Sequence, residues 1–250
     1  MTPFNSISGP KSSSAQGAPA GRAAALQWPE VCAKIRLMAL EDIEGSGRVA
    51  VMGGTFDPIH HAHLLIAEDV RLRFGLDQVV FMPSGAPPHK PAGEVSPAED
   101  RYLMAVLATS DNPHFVVSRL EIDRPGNSYT IDTVRHLKAK LGERGLVYLI
   151  VGADSALEMD TWYEPDSILT EARVIAVSRA GFDLSKLPER LGKARAEQVT
   201  VVVGPSMTVS ATEIRERIAA GQSARYMCPR PVLDYIQKRG LYRLGSTGAH

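Results

Sequence analysis

From residue 48 to residue 203 the chain repeats one alternation, and that alternation limits its fold more than any other feature. Short runs rich in β-branched residues stand at 49–52 (VAVM), 79–82 (VVFM), 115–118 (FVVS), 147–151 (VYLIV), 174–178 (VIAVS) and 199–203 (VTVVV). Each has the length and composition of a strand. Between most of them the spacing turns helical. Ile66, Val70 and Phe74 recur at i, i+4, i+8, and Ile131, Val134, Leu137 and Leu141 make a second stripe. Ser96-Pro97-Ala98-Glu99 reads as a capping box with proline at the first helical position, opening a helix through RYLMAVLAT. Strands alternating with helices predict an α/β, doubly wound, mainly parallel sheet, in which ligands bind beyond the C-terminal strand ends.

Bulk properties narrow the function. The 250 residues are 44% hydrophobic, enough for one domain with a buried core. Twenty-eight basic residues balance 28 acidic ones, which gives no overall electrostatic case for nucleic-acid or membrane binding. Cys32 and Cys228 form neither a disulfide framework nor a zinc spacing, so a reducing cytoplasm is expected. No apolar run approaches the ~20 residues of a membrane span. Residues 1–47 open with a Ser/Gly/Ala/Pro-rich stretch and predict a disordered or weakly helical extension, its one amphipathic stripe at Val31, Ile35 and Met38. It does not read as a signal peptide, and translation starting at Met38 is an alternative. A single domain is expected over 48–243, followed by a flexible tail over 244–250.

Chemistry concentrates in GGTFDPIHHAHL (53–64). Gly53-Gly54 ends the first strand, Pro58 closes the turn, and His60, His61 and His63 fall at the next helix N-terminus, where free N–H groups and the helix dipole favour an anion. Three readings fit: surface polar residues, a metal site, or phosphate binding. The i, i+3 imidazoles lack a partnering Glu or Cys pair for zinc, and the glycines let backbone approach a ligand. Ser210, Thr212 and Arg215 open a later helix after Gly204-Pro205, as a cap or as a second anion site. Pro87-Pro88-His89-Lys90 is a stiff loop with cationic donors or a plain connector. Asn127-Ser128-Tyr129-Thr130 can cap the Ile131 helix, and its tyrosine can stack on a flat ring. Asp154, after Gly152-Ala153, can accept from ribose hydroxyls, position a metal-bound phosphate or cap a helix.

GGTFDPIHHAHL resembles the signature of the nucleotidylyltransferase superfamily, HxGH after a first strand, and more closely that of the bacterial nicotinate-nucleotide adenylyltransferases. MPSGAPPHK (82–90), RLEIDRPGNSYTIDT (119–133), LIVGADSALEMDTW (149–162) and VSATEIRERI (209–218) match the same family in order. Two positions depart from its pattern. Ala62 stands for the glycine between the histidines, and Ala211 for a serine of ISSTxIR.

The resemblance implies a Rossmann-like nucleotidylyltransferase sheet with a C-terminal helical part. It implies transfer of the adenylyl group of ATP to nicotinate mononucleotide in NAD biosynthesis, with Mg²⁺ arriving on ATP and no protein metal ligands assigned. His60, His63 and Arg215 would be catalytic. Gly53, Gly54, Thr55, Phe56, Asp154, Ser210 and Thr212 would join them around ATP. Ser84, Gly85, Lys90, Tyr129, Thr130 and Trp162 would border the mononucleotide, though Tyr129 and Trp162 also suit a core. Alternatives are nicotinamide mononucleotide or another phosphorylated acceptor, and a non-catalytic nucleotide sensor. Oligomeric state is left open.

Overall fold

A computed structural model describes residues 43, 47–85, 95–178 and 184–243. The expected extension and tail therefore lie almost wholly outside the described residues, as do His89 and Lys90.

All six expected strands form: β1 (Arg48–Gly54), β2 (Gln78–Pro83), β3 (Phe115–Val117), β4 (Leu146–Gly152), β5 (Arg173–Ser178) and β6 (Val199–Val203). They make one sheet in the order β3-β2-β1-β4-β5-β6, parallel throughout. The long helices are α1 (His61–Phe74), α2 (Ala98–Thr109) and α3 (Thr130–Leu141). Short helices α4 (Ala153–Leu157), α5 (Pro165–Glu171), α6 (Leu187–Leu191) and α7 (Lys193–Ala196) follow, and α8 (Ala211–Ala219) and α9 (Arg230–Arg239) form the C-terminal helical part.

Successive strand residues point to opposite faces, so both faces of a doubly covered parallel sheet must be apolar. Val49, Val51, Val80, Met82, Leu149 and Val151 turn to one side, against Ile131, Val134, Leu137 and Leu141 of α3. Ala50, Val79, Phe81, Ile150 and Val177 turn to the other, against Ile66 and Val70 of α1 and Met104 of α2. Ile214 of α8 and Val232 and Ile236 of α9 complete that second layer.

Two local expectations are corrected. Pro97, not Ser96, is the N-cap of α2, and no side chain caps that end. Ser96 instead gives its backbone N–H to Asp57 Oδ2 at 3.1 Å. Likewise no side chain caps α3. Ser128 Oγ donates to the Glu121 carbonyl at 3.2 Å and Asn127 reaches the Tyr129 hydroxyl at 3.4 Å, so these groups pin the loop rather than the helix. At α2 a tertiary partner outcompetes the local cap, and at α3 bonds within the loop do. Among the described residues no helix is long and apolar enough to cross a membrane.

With β1 central and the chain leaving it first toward β2 and β3, then returning to β4, the winding reverses between β1 and β4. Such a reversal leaves a crevice at the C-terminal strand ends. Gly53-Gly54 and Gly152 lie at that edge.

Candidate active site

His60, 2% exposed, is the N-cap of α1, and His63 occupies the third helical position, half-buried. The rings stack with centroids 3.7 Å apart and planes 21° from parallel. The backbone N–H of His60 donates to His63 Nδ1 at 3.2 Å, a capping-box contact with an imidazole as acceptor. Because Nδ1 accepts, the proton of the neutral His63 ring sits on Nε2, which makes Nε2 its donor. Phe56, in the left-handed region at φ 51°, meets the His63 ring edge-on at 5.1 Å. Its side chain is buried, so what Phe56 offers the crevice is backbone.

Ala62 lies between the histidines in ordinary helix, 1% exposed, and is absent from the positive-φ residues. Restoring the glycine is expected to destabilise the protein by about 1 kcal/mol without raising turnover. Thermal melts and steady-state rates of Ala62→Gly check this.

Arg215 reaches back 158 residues from α8 to give Nη1–H to the Asp57 carbonyl at 2.8 Å, and its Nη2 lies 3.4 Å from Thr212 Oγ1. This contact places α8 beside the turn that carries the histidines. Ser210 is the N-cap of α8, its Oγ accepting from the Glu213 N–H at 3.1 Å, while Ala211 is merely the first helical residue. The hydroxyl missing at 211 is thus not the one that caps this helix. Asp154 stands exposed at the second position of α4. A Cβ added to Gly152 would lie 2.5 Å from its Oδ1, so that carboxylate folds over bare backbone at the end of β4.

On the other flank, the Ser84 N–H donates to the Gly54 carbonyl at 3.0 Å, joining the loops after β1 and β2. A Cβ on Gly85 would lie 2.3 Å from the Glu121 carbonyl, so only glycine admits the 119–128 loop here. Ser84 Oγ is buried with no partner among the described residues. Burial raises the Glu121 carboxyl above the usual range, opposed by the Thr133 hydroxyl at 3.0 Å and by Arg124. A raised folded value means the proton is held more tightly in the native state. Stability from this group is therefore complete at low pH and declines as pH rises through the raised value. The melting advantage of Glu121→Gln over wild type is expected to grow between pH 4 and pH 7, which thermal melts across that range check.

Tyr129 and Thr130 stand at the start of α3. Tyr129 stacks against Tyr163, with centroids 4.5 Å apart, and both rings are exposed, 39% and 55%. Trp162 packs partly against the α3-side core instead. Tyr163 was missed by the sequence reading, and its only signal was an aromatic beside Trp162.

Two further residues escaped that reading. Asp57 is 3% exposed, its Oδ1 accepting from the Tyr242 hydroxyl at 2.5 Å and its Oδ2 from Ser96. Burial and the Asp57 charge together hold the Tyr242 hydroxyl far above its ordinary pKa. Arg101 lies on the buried stripe of α2 with Met104, Ala105 and Ala108, and a cation on an apolar stripe was the available signal.

Residues 51–217 match the cytidylyltransferase-like family. A Moorella thermoacetica protein named "Probable nicotinate-nucleotide adenylyltransferase" is 46% identical over 82% of this chain and 95% of its own length. An Acidothermus cellulolyticus protein of the same name is 46% identical over 80% of this chain and 97% of its own. The Plasmodium falciparum nicotinic acid mononucleotide adenylyltransferase complexed with NaAD shares the fold, with TM-score 0.65 at 17% identity, covering 78% of this chain and 97% of that one. On this sequence match and this geometry the chain belongs to the nicotinate-nucleotide adenylyltransferases, within the cytidylyltransferase-like family.

Proposed function

We propose that this protein transfers the adenylyl group of MgATP to nicotinate mononucleotide, giving deamido-NAD and pyrophosphate in NAD biosynthesis. The observation that carries the reading is the convergence of the α1 N-terminus and an arginine of α8 on one turn. The histidines of α1 follow Asp57, and Arg215 of α8 bonds the Asp57 carbonyl. Both bring phosphate donors to the crevice.

In this reading the mononucleotide 5′-phosphate attacks the α-phosphorus in line, and the bond to the β-phosphate breaks as pyrophosphate leaves. The nucleophile is already anionic at neutral pH, so positioning and charge stabilisation suffice. His60 and His63 donate to the phosphates as charge builds on the leaving group. Arg215, Thr212 and Ser210 hold the β- and γ-phosphates, and the Gly53–Gly54–Thr55–Phe56 backbone lines the triphosphate. Asp154 takes the ribose hydroxyls. Ser84, Gly85, Lys90, Tyr129, Thr130 and Trp162 border the mononucleotide. Magnesium enters on ATP, keeping much of its water; among the described residues no group of three or more His, Cys, Asp or Glu is gathered to hold it. We place the domain at 48–243 and the protein in the cytoplasm.

Pyrophosphate release with MgATP tests the reading, comparing nicotinate and nicotinamide mononucleotides. The resemblance implies that backbone N–H groups receive the nicotinate carboxylate; such donors would satisfy a carboxylate but clash with an amide NH₂, so a preference of ~100-fold, about 2.7 kcal/mol, is expected in kcat/KM for the acid. Equal rates would mean dual specificity, and no release with either would leave another phosphorylated acceptor or the sensor.

A further inference from the structure

Arg101 is 1% exposed, and among the described residues the hydrogen bonds of its guanidinium all go to backbone carbonyls. Nε donates to Ser96 at 3.0 Å, Nη1 to Thr55 at 2.9 Å, and Nη2 to Ser84 at 2.7 Å and Gly85 at 3.1 Å. These oxygens belong to two connections, the second gripped at both of its ends. Thr55 lies in the loop after β1, Ser84 and Gly85 in the loop after β2, and Ser96 just before α2. Burying an arginine is costly, and burial indeed lowers its pKa, with Asp57 and Tyr242 opposing. A planar fork with rigidly spaced donors does what apolar packing cannot: it fixes the two loops relative to each other.

We propose that Arg101 is a positioning residue for adenylyl transfer, its fork setting the distance between the ATP loop at Thr55 and the mononucleotide loop at Ser84–Gly85. This rests on the function proposed above. Each loop keeps its own ligands without Arg101, while the alignment of phosphate on α-phosphorus depends on the loops together. Misplacement by about 1 Å costs ~10²-fold in rate.

The test is Arg101→Lys, whose ammonium is a compact donor without the fork. Calorimetry would give the Kd of α,β-methylene ATP and of nicotinate mononucleotide separately, and pyrophosphate release would give kcat. The expected result is each Kd within about 3-fold of wild type and kcat lower by ~100-fold. An unchanged kcat, or a kcat loss matched by weaker binding of either substrate, would overturn the proposal, because the latter is what a prop for one loop produces.

Should the lysine variant fail to melt cooperatively, the wild-type protein decides. With ¹⁵N-arginine labelling, the Arg101 Nε–H resonance should shift on adding α,β-methylene ATP alone and on adding the mononucleotide alone. Indifference to either ligand would overturn the inference. Lack of wild-type turnover with nicotinate mononucleotide would instead sink the function, so the two failures are distinguishable.

Discussion

His63→Ala should lower kcat by about 10²–10³-fold, the usual cost of removing one donor aimed at transition-state charge. Its cost in stability should be small by comparison. The side chain accepts the His60 backbone N–H, and losing such a capping contact costs about 1 kcal/mol, or ~2–4 °C in a domain of this size. His63→Gln separates the two effects. A glutamine at the third helical position can restore the capping contact, so it should recover the melting temperature while recovering little of the rate. Steady-state kinetics and calorimetric melts of both variants check this. Near-normal turnover in the alanine variant would remove His63 from the chemistry.

The second large effect is expected at Arg215. Arg215→Met should reduce kcat/KM for ATP by about 10³-fold, the lower range for an arginine that stabilises phosphoryl charge. One Nη1–H is committed to the Asp57 carbonyl at 2.8 Å and one Nη2–H lies toward Thr212 Oγ1 at 3.4 Å, but a guanidinium has five donors, and the other three can meet phosphate oxygens. Arg215→Lys should land between, because it returns the charge without the bidentate fork. Stopped-flow measurement of pyrophosphate release at saturating mononucleotide would rank the three proteins. Equal rates for methionine and lysine would mean that charge at this position does not act on the reaction.

What could be read in advance follows from range. Each stripe that formed a buried helix face, such as Ile131, Val134, Leu137 and Leu141, is a local pattern with period 3.6. Five of the six strands were legible because parallel strands covered on both faces are nearly continuous apolar runs; the edge strand β6, with Val201 and Val203 exposed, was legible from its β-branched residues alone. The histidine turn was legible because glycine, proline and histidine within twelve residues do chemistry at short range. Asp57 was not, since nothing near it in sequence hints at Tyr242 or at the Ser96 amide. Arg101 stood out only as a cation on an apolar stripe, and what it holds was not legible until the carbonyls around it were in place. The Ser96 capping box failed for a related reason: the signal was local, and Asp57 won the amide from a distance.

The hydrogen bond from Tyr242 to Asp57 joins residues 185 apart. At ~5–20 residues per second on the ribosome, roughly 10–40 s separate the synthesis of these two partners. Through that interval the β1 loop carries a carboxylate whose burial is unfinished, and Arg215 arrives only near its end. The turn bearing the histidines is thus among the first parts of the domain to be made and the last to be fastened, and a nascent chain completes that fastening only once residue 242 has been made.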